Sequence, residues 1–237
     1  MILHKNFNQL MKRMKQFYDT NRKGCALILV RNIDSIVLQE VKPLNQWRFP
    51  GDLNEYIEAH IDRQDSFWRK RYDIDDDLIP CLSPYFGIAE HTAFIGGQVE
   101  FSEETSWHHP LIREWVDMDK FELKEDNAWM RMILDGYRHL EEKAGGRFVL
   151  KLRGAEGAMD MANTIRGNDF FTDFYDFPEQ VHRLLEFCTK AAGWFLGQQH
   201  KAVGQLNGGV VTGFGIWLPG NSAGHLSEDA STMCSPA

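Results

Sequence analysis

The sequence Glu90-His91 is the best candidate for acid–base chemistry in this chain of 237 residues. A histidine titrates near neutral pH, and a neighbouring carboxylate can fix its tautomer, so the two together could move a proton. The pair lies in a stretch from Tyr85 to Trp115 that glycines and Pro110 interrupt. A connection of this length is usually functional. We therefore predict that Glu90 and His91 are catalytic; two adjacent side chains that face solvent are the alternative.

A second group of charged residues follows an apolar run that predicts a strand over 147–153. Arg153 ends this strand, and Glu156 and Asp160 come shortly after it. In a barrel of parallel strands, residues at such strand ends form the catalytic rim. Lys151 and Arg153 share one face of an alternating strand, which points either into the barrel or outward. With the inward orientation, we expect Arg153 to bind an anionic substrate.

The C-terminal part of the chain combines an aromatic residue, Trp217, with the polar residues His225, Asp229 and Cys234. Imidazole and thiolate groups are ligands that zinc prefers in proteins, so His225 and Cys234 are candidate zinc ligands. Asp229 is a candidate catalytic residue, and Trp217 is a candidate substrate contact. The spacing of these residues is not that of a known zinc motif, so a segment without metal is the favoured alternative.

The composition restricts the class of protein. The chain has 34 acidic and 26 basic residues, and its net charge of -8 argues against nucleic-acid binding, which requires a basic surface. No segment approaches the roughly 20 apolar residues that a membrane-spanning helix requires. The four cysteines are far apart in sequence, which indicates reduced thiols. We therefore expect a cytoplasmic enzyme that acts on a small molecule, of unknown oligomeric state.

Alternating helices and short apolar runs indicate the fold class. Apolar residues recur at steps of three or four in segments that predict helices over 3–17, 53–70, 125–142 and 178–195. Asp52 and Glu55 have the spacing of a capping box for the second of these helices. Apolar runs between the helices predict strands over 25–30, 36–41, 78–82, 147–153 and 210–216.

Strands separated by helices are typical of parallel βα units, which close into a barrel or form an open doubly wound sheet. The Gly-x-Gly-x-x-Gly sequence that would support the open sheet is absent from this chain. We predict one α/β domain over residues 1–237, with an N-terminal helical extension over 1–24.

Three segments, in this order, resemble the uroporphyrinogen decarboxylase superfamily. They are FVLKLRG (148–154), DFFTDF (169–174) and PEQVHRLL (178–185), a strand that ends in glycine, a short helix and the start of a longer helix. A fourth segment, Asp229-Ala230-Ser231 followed by Ser235-Pro236, is similar to the family's Asp-Ser turn and Ser-Pro helix start. The resemblance extends from about Asp52 to Ala237.

The resemblance implies an α/β fold in the form of a partial (β/α)8 TIM-type barrel that is truncated before its last strands. The superfamily includes porphyrinogen decarboxylases and methyltransferases that move methyl groups between corrinoid proteins and thiols, with zinc to activate the thiol. The resemblance therefore implies a methyltransferase-like enzyme with a corrinoid protein as partner, a thiol as acceptor and zinc as a candidate cofactor. Porphyrinogen decarboxylation and a non-catalytic fragment are the alternatives.

The segment Trp47-Arg48-Phe49-Pro50-Gly51-Asp52 is similar to the family's Arg-x-x-Gly-Arg element, whose arginines bind substrate carboxylates. This similarity implies that Arg48 contacts substrate. Asp52 replaces the second arginine, and we expect it to begin a helix. The decarboxylases also use an aspartate after an early strand, and residues 81–87 contain none. Both departures make decarboxylation the less favoured reaction.

Overall fold

The computed structural model describes residues 2–19, 23–24, 26–31, 40–220 and 224–234. Six α-helices occur in this part of the chain: α1 (Phe7–Asp19), α2 (Leu53–Lys70), α3 (Ala128–Ala144), α4 (Ala158–Arg166), α5 (Asp169–Asp176) and α6 (Pro178–Val203). Eight short strands alternate with them: β1 (Cys81–Leu82), β2 (Val99–Phe101), β3 (Ser106–His108), β4 (Val149–Leu150), β5 (Ala155–Glu156), β6 (Gly209–Val211), β7 (Trp217–Pro219) and β8 (Leu226–Ser227).

The strands form two parallel and two antiparallel pairs. β1 pairs with β4, and β5 pairs with β8, both in parallel. β2 with β3 and β6 with β7 are antiparallel pairs of consecutive strands. Beyond β4, the backbone N–H of Leu152 donates to the carbonyl of Val211 at 2.8 Å, which connects the end of β4 to β6. Parallel pairing across intervening helices gives the chain an α/β fold.

Local signals in the sequence determine where two of the helices begin and end. The side chain of Asn127 accepts hydrogen bonds from the backbone N–H groups of Trp129, at 2.9 Å, and Met130, which caps the start of α3. Gly145 ends α3 in the left-handed conformation, with φ of 57°, which a residue without Cβ adopts readily. Pro178 occupies the first turn of α6, where its missing N–H is not needed.

The apolar faces of the five helices α2 to α6 form the main core. Ile57 of α2, Ile133 and Leu140 of α3, and Phe195 of α6 are all buried in one cluster. Each such side chain contributes roughly 2 kcal/mol through burial. A smaller cluster joins α1 to the strands through Leu10, Met14, Ile79, Val211 and Trp217. The apolar periodicity in the sequence correctly predicted which faces of these helices are buried.

Two predicted strands near the N-terminus do not form in the described residues. Residues 26–31 and 40–41 contain no strand, and residues 25 and 32–39 lie outside the described part of the chain. The backbone N–H groups of Ile28 and Val30 donate instead to the carboxylates of Asp77, at 2.9 Å, and Asp76, at 2.8 Å. Side-chain carboxylates therefore satisfy the hydrogen bonds that a neighbouring strand would have made.

Three further predictions differ in detail from the structure. The long connection over 85–115 contains the β2–β3 hairpin, and the strand predicted over 210–216 consists of the end of β6 and the turn that connects it to β7. Asp52 precedes α2 without forming a capping box, because its carboxylate accepts the backbone N–H of Arg48 at 2.8 Å. In the described residues, no helix has the length and apolar character needed to cross a membrane.

Candidate active site

A cavity of about 450 Å³, which we call the rim cavity, lies where the chain leaves β4 and β5 and meets β8. Its walls come from four separate parts of the sequence. They are Ile88, His91, Trp107, Arg153, Ala155, Glu156, Asp160, Asn163, Thr164, His225, Ser227 and Asp229. A lining that includes two histidines and three carboxyl groups gives this cavity the residue types of an active site.

Four of the predicted site residues meet in the rim cavity. His91, Arg153, His225 and Asp229 all line it, although more than 130 residues of sequence separate the first from the last. Glu90 lies directly behind the lining, buried and paired with Arg153. Because β5 and β8 are parallel neighbours, Ser227 lies beside Glu156. The fold thus collects most of the predicted residues at one location.

An ion pair between Arg153 and Glu90 forms the inner wall of the rim cavity. The Nε of Arg153 donates to one oxygen of Glu90, and the other oxygen accepts the backbone N–H of Phe86 at 2.8 Å. The guanidinium of Arg153 lies 4.8 Å from the centre of the Tyr85 ring. Burial lowers the pKa of Arg153, but the attraction and hydrogen bond of Glu90 outweigh burial and raise it. Arg153 is therefore a fixed positive charge, and Glu90 holds it in place.

Glu156 is the carboxyl group whose pKa is raised most clearly in the rim cavity. Burial, and then the negative charge of Asp160, raise its pKa from 4.5 to about 8. Glu156 ends β5, and the first turn of α4 follows directly, so the fold brings Asp160 close to it. A carboxyl group with this pKa exchanges its proton near neutral pH.

The two histidines of the rim cavity are held neutral by their surroundings. Burial, followed by the charge of Arg153, lowers the pKa of His91 to about 3. Burial also lowers the pKa of His225. The ring of His225 packs 4.7 Å from the ring of Phe214. A neutral imidazole offers one hydrogen-bond donor and one acceptor, so these rings can orient a polar ligand.

Two glycines make room for the ring of His225. A Cβ atom on Gly154 or on Gly213 would lie less than 3.0 Å from ring atoms of His225, closer than real Cβ atoms come. Gly154 also has φ of 87°, which side chains rarely adopt. Glycine at both positions therefore determines where His225 can sit.

Reciprocal hydrogen bonds attach the C-terminal segment to α4. The carboxylate of Glu228 accepts the backbone N–H groups of Met159 and Asp160, both at 3.2 Å, at the start of α4. The carboxylate of Asp160 in turn accepts the N–H groups of Asp229, at 3.0 Å, and Ala230, at 2.6 Å. A carboxylate at a helix N-terminus is stabilised by the free N–H groups there. These contacts hold Asp229, itself exposed, at the mouth of the rim cavity.

Three predicted site residues lie away from the rim cavity. Arg48 is exposed in the turn before α2. Trp217 is buried in the small core cluster, and its Nε1 donates to the carbonyl of Leu206 at 2.8 Å. Cys234 follows the 3-10 helix Ala230–Met233, and its N–H donates to the carbonyl of Ser231 at 3.2 Å. Their substrate and metal roles remain predictions.

The predicted zinc site does not find a full set of ligands. No group of three or more histidine, cysteine, aspartate or glutamate side chains that could hold a metal ion occurs among residues 2–19, 23–24, 26–31, 40–220 and 224–234. His225 packs between Phe214 and two glycines, and Cys234 lies at the end of a 3-10 helix. A structural zinc site has four ligands and a catalytic site has three, so His225 and Cys234 alone do not fit the metal.

A larger cavity, of about 710 Å³, adjoins the rim cavity through Tyr85. It lies between residues 40–44 and α2, and it contains His60, whose pKa burial lowers to about 4. We favour the rim cavity as the site because it contains a group that titrates near neutral pH and four of the predicted residues.

Sequence reasoning named Glu156 by its position at a strand end but gave it no role. Its raised pKa depends on burial and on Asp160, which only the folded chain brings together. Trp107, 56% exposed at the cavity, was not predicted at all. Gly154 and Gly213 carry a usable signal, because the first follows the strand predicted over 147–153 and the second lies within the strand predicted over 210–216, and glycine in a strand often marks a close approach of another group.

Comparison with known proteins gives little further information. No protein-family model matches the chain, and no curated protein matches it. Among solved structures, a methyltransferase from Methanosarcina mazei is similar, with 12% sequence identity and a TM-score of 0.47. The match covers 72% of this chain and 52% of that one, so the chain spans about half the length of the methyltransferase. Likeness at this level assigns neither a family nor a reaction.

Proposed function

We propose that this chain is an enzyme of the uroporphyrinogen decarboxylase type that transfers a methyl group from a corrinoid protein to a thiol, with the rim cavity as its reaction site. The observation that carries the proposal is that His91, Arg153 and Glu156, from distant parts of the sequence, line one cavity, and the directions of two pKa shifts there support it. The pKa of Glu156 is raised to about 8, and that of His91 is lowered to about 3. Titratable groups displaced in opposite directions are typical of acid–base catalysis. The sequence motifs supply the reaction class.

Glu156 is the general base of the proposed reaction. The thiolate, rather than the thiol, is the nucleophile in methyl transfer, so the thiol must lose its proton. A free thiol has a pKa of about 8.5, close to that of Glu156, which makes proton transfer between them nearly balanced. The carboxylate takes the proton, the sulfur forms a bond to the methyl carbon, and the electron pair of the broken carbon–cobalt bond stays with the corrinoid.

The other residues of the rim cavity prepare the acceptor. The guanidinium of Arg153, which Glu90 holds at the cavity wall, can donate its remaining N–H groups to the acceptor. His91 and His225, both neutral, orient the acceptor through hydrogen bonds. Glu90 is a positioning residue, since both of its oxygens already have partners. Asp229 lies at the mouth and contacts the substrate as it enters.

We also propose that β1, β4 and β6 are neighbouring strands of an incomplete (β/α)8 barrel. The parallel pairing of β1 with β4 and the hydrogen bond from Leu152 to Val211 support this order. α3 connects the first two strands, and α4 to α6 connect the second and third. In a barrel, substrates bind at the rim formed by the carboxyl ends of the strands. The rim cavity lies after β4, which agrees with that arrangement.

The charge of the rim cavity gives less support to porphyrinogen decarboxylation. Glu156, Asp160 and Asp229 line it, whereas Arg153 is the one permanent cation among its lining residues and is already paired with Glu90. A substrate with several carboxylates would therefore meet like charges without free cations. A thiol acceptor with few negative charges avoids this repulsion.

The proposal is tested by incubating the chain with a methylated corrinoid protein and a set of small thiols. The expected result is a methyl thioether, identified by mass spectrometry, together with the change in absorbance of the demethylated corrinoid. A Glu156→Gln variant should lose the reaction, and a variant of the exposed Glu142, Glu142→Gln, should retain it. Failure of every thiol with the folded protein would overturn the proposal, and release of carbon dioxide from a porphyrinogen would favour the decarboxylase alternative.

A further inference from the structure

Lys151 is a half-buried amine that the proposed reaction does not use. It follows β4, one residue before Leu152, and its Nζ donates to the carbonyl of Gly213 at 2.8 Å. Within the described residues, Lys151 takes part in no ion pair, because the nearby carboxylate of Glu90 is paired with Arg153. A lysine that is largely removed from solvent and has no counter-ion is unusual, since an isolated charge is costly to remove from water.

Other lysines of the chain are in a different environment. Lys143 pairs with Glu58, Lys120 pairs with Asp117 at 2.8 Å, and Lys201 pairs with Glu125 at 2.8 Å. The side chains of Lys120 and Lys201 are 75% and 66% exposed. Lys120 and Lys201 therefore lie at the surface beside carboxylates, whereas Lys151 is largely removed from solvent and has no carboxylate partner among the described residues.

Another cavity, of about 190 Å³ and separate from the two described above, gives access to Lys151. Phe67, Trp68, Cys81 and Phe214 contribute to its lining beside Lys151. Phe214 is 54% exposed, so the cavity reaches the surface at this residue. Arg31, also exposed, lies in the same lining and places a positive charge near the opening. The cavity can therefore hold a small molecule with an apolar part and one negative charge.

Burial favours the uncharged amine. It is the largest cause of the lowered pKa of Lys151; Cys81 opposes it, the positive charges of Arg153 and Arg31 lower the pKa further, and Glu90 has the smallest, opposing effect. Desolvation beside other cations is the way in which proteins turn lysine into a nucleophile near neutral pH.

We propose that Lys151 forms an imine with a small 2-oxo acid that enters this cavity of about 190 Å³. The lone pair of Nζ attacks the ketone carbon, and a carbon–nitrogen double bond replaces the carbon–oxygen bond. Both hydrogens of the amine leave with the carbonyl oxygen as water, so the step needs no oxidant or reductant. The carboxylate of the acid pairs with Arg31, which favours a 2-oxo acid over a neutral aldehyde. Lys151 is not among the lining residues of the rim cavity, so this proposal stands apart from methyl transfer.

The proposal is tested by incubating the whole chain with pyruvate and cyanoborohydride, which reduces an imine to a stable amine. Peptide mass spectrometry then locates the carboxyethyl group. At neutral pH, Lys151 should be modified at least about tenfold faster than Lys120 and Lys201, which serve as controls within the same molecule. Equal or slower modification at Lys151, or no modification at all, would overturn the proposal.

A Lys151→Arg variant separates the amine from its charge. Arginine keeps the positive charge and can donate to the carbonyl of Gly213, but it forms no imine with pyruvate. The fast modification that we assign to Lys151 should disappear. The slow modification of the exposed lysines should continue at the original rate. If the fast modification persists in Lys151→Arg, another amine is responsible and the assignment to Lys151 is wrong. The comparison within the wild-type protein remains valid even if the variant folds poorly.

Discussion

Two buried arginine–carboxylate pairs differ in what surrounds them. Arg71 and Asp76, joined at 2.8 Å, are 1% and 2% exposed, and Arg153 and Glu90 are 17% and 1% exposed. The first pair bonds further to backbone. Arg71 donates to the carbonyl of Val30 at 3.1 Å, and the N–H of Val30 donates to Asp76 at 2.8 Å. This pair therefore binds the backbone of Val30 to the residues that follow α2.

The second pair faces a cavity that contains titratable groups. Arg153 lines the rim cavity together with His91 and Glu156, and its charge contributes to the lowered pKa of His91. Burial of an ion pair is therefore common to a structural contact and to the candidate site. The difference is that the second pair adjoins open space and side chains able to exchange protons, which is what catalysis requires.

The largest effect should follow from the Glu156→Gln substitution. The amide has nearly the same shape but cannot accept the thiol proton, so the rate of methyl transfer should fall by roughly 100-fold to 10,000-fold. Thermal unfolding should show that the variant is folded. Glu142→Gln, on the exposed surface, is the matched control and should leave the rate unchanged. A rate for Glu156→Gln within a few-fold of wild type would remove Glu156 from the proposed mechanism.

The next prediction compares how the loss of each ion pair changes the stability of the protein. Asp76→Ala leaves the charge of Arg71 buried without a partner, which should cost about 3–5 kcal/mol in the free energy of unfolding. Glu90→Gln should destabilise the protein in the same direction, because it removes the charged partner of Arg153. Chemical denaturation measures both, and Asp135→Asn, in an exposed pair with Arg138, is the control.

Activity per folded molecule should distinguish the same two variants. Asp76→Ala should retain the methyl-transfer rate within about twofold, because Arg71 lies outside the rim cavity. Glu90→Gln should lower it at least about tenfold, since Arg153 is no longer held at the cavity wall. Equal loss in the two variants would mean that the contrast between a structural pair and a site pair is wrong.

A smaller effect concerns the pH dependence of stability. The pKa of Glu156 is about 8 in the folded chain and 4.5 when unperturbed, so the folded chain binds this proton more tightly than the unfolded chain. The contribution of Glu156 is therefore fully present below pH 4.5 and is lost as the pH rises towards 8. The loss cannot exceed about 1.4 kcal/mol per pH unit across this range.

Denaturation of wild type and Glu156→Gln across this pH range measures the effect. The difference in the free energy of unfolding between the two should change with pH, because glutamine does not titrate. The rate of methyl transfer in the wild type should rise with pH through the same region as Glu156 becomes ionised. A constant difference between the two proteins would show that the pKa of Glu156 is not raised.

The helices could be predicted from the sequence because their signals are local. The apolar stripe of α2, the cap at Asn127 and the stop at Gly145 depend on residues within a few positions of one another. The strands were predicted less well. Their pairing depends on residues that are distant in sequence. For example, the carboxylates of Asp77 and Asp76 accept the backbone N–H groups of Ile28 and Val30.

The candidate site was predictable to the extent that position along a strand determines it. Arg153 follows a strand, and the resemblance to a barrel family implied that such residues lie at the rim. The pairing of Glu90 with Arg153 could not be derived, because 63 residues separate them in sequence. Trp217 looked equally suitable for a binding site, but burial of its ring against Tyr18 and the bond to Leu206 place it in the core.

The smallest expected effect tests the space that holds His225. In Gly213→Ala, the new Cβ would lie less than 3.0 Å from the His225 ring and the carbonyl of Arg153, so the ring must shift. A shift of this size should lower the methyl-transfer rate by about tenfold, since small displacements of orienting groups weaken catalysis. Gly193→Ala, in α6 with open space around the added Cβ, is the matched control and should keep the rate while slightly stabilising the helix. The chemical shifts of the His225 ring should move in Gly213→Ala alone. An unchanged rate with a displaced ring would restrict the reaction to Glu156, His91 and Arg153 and would remove His225 from the site.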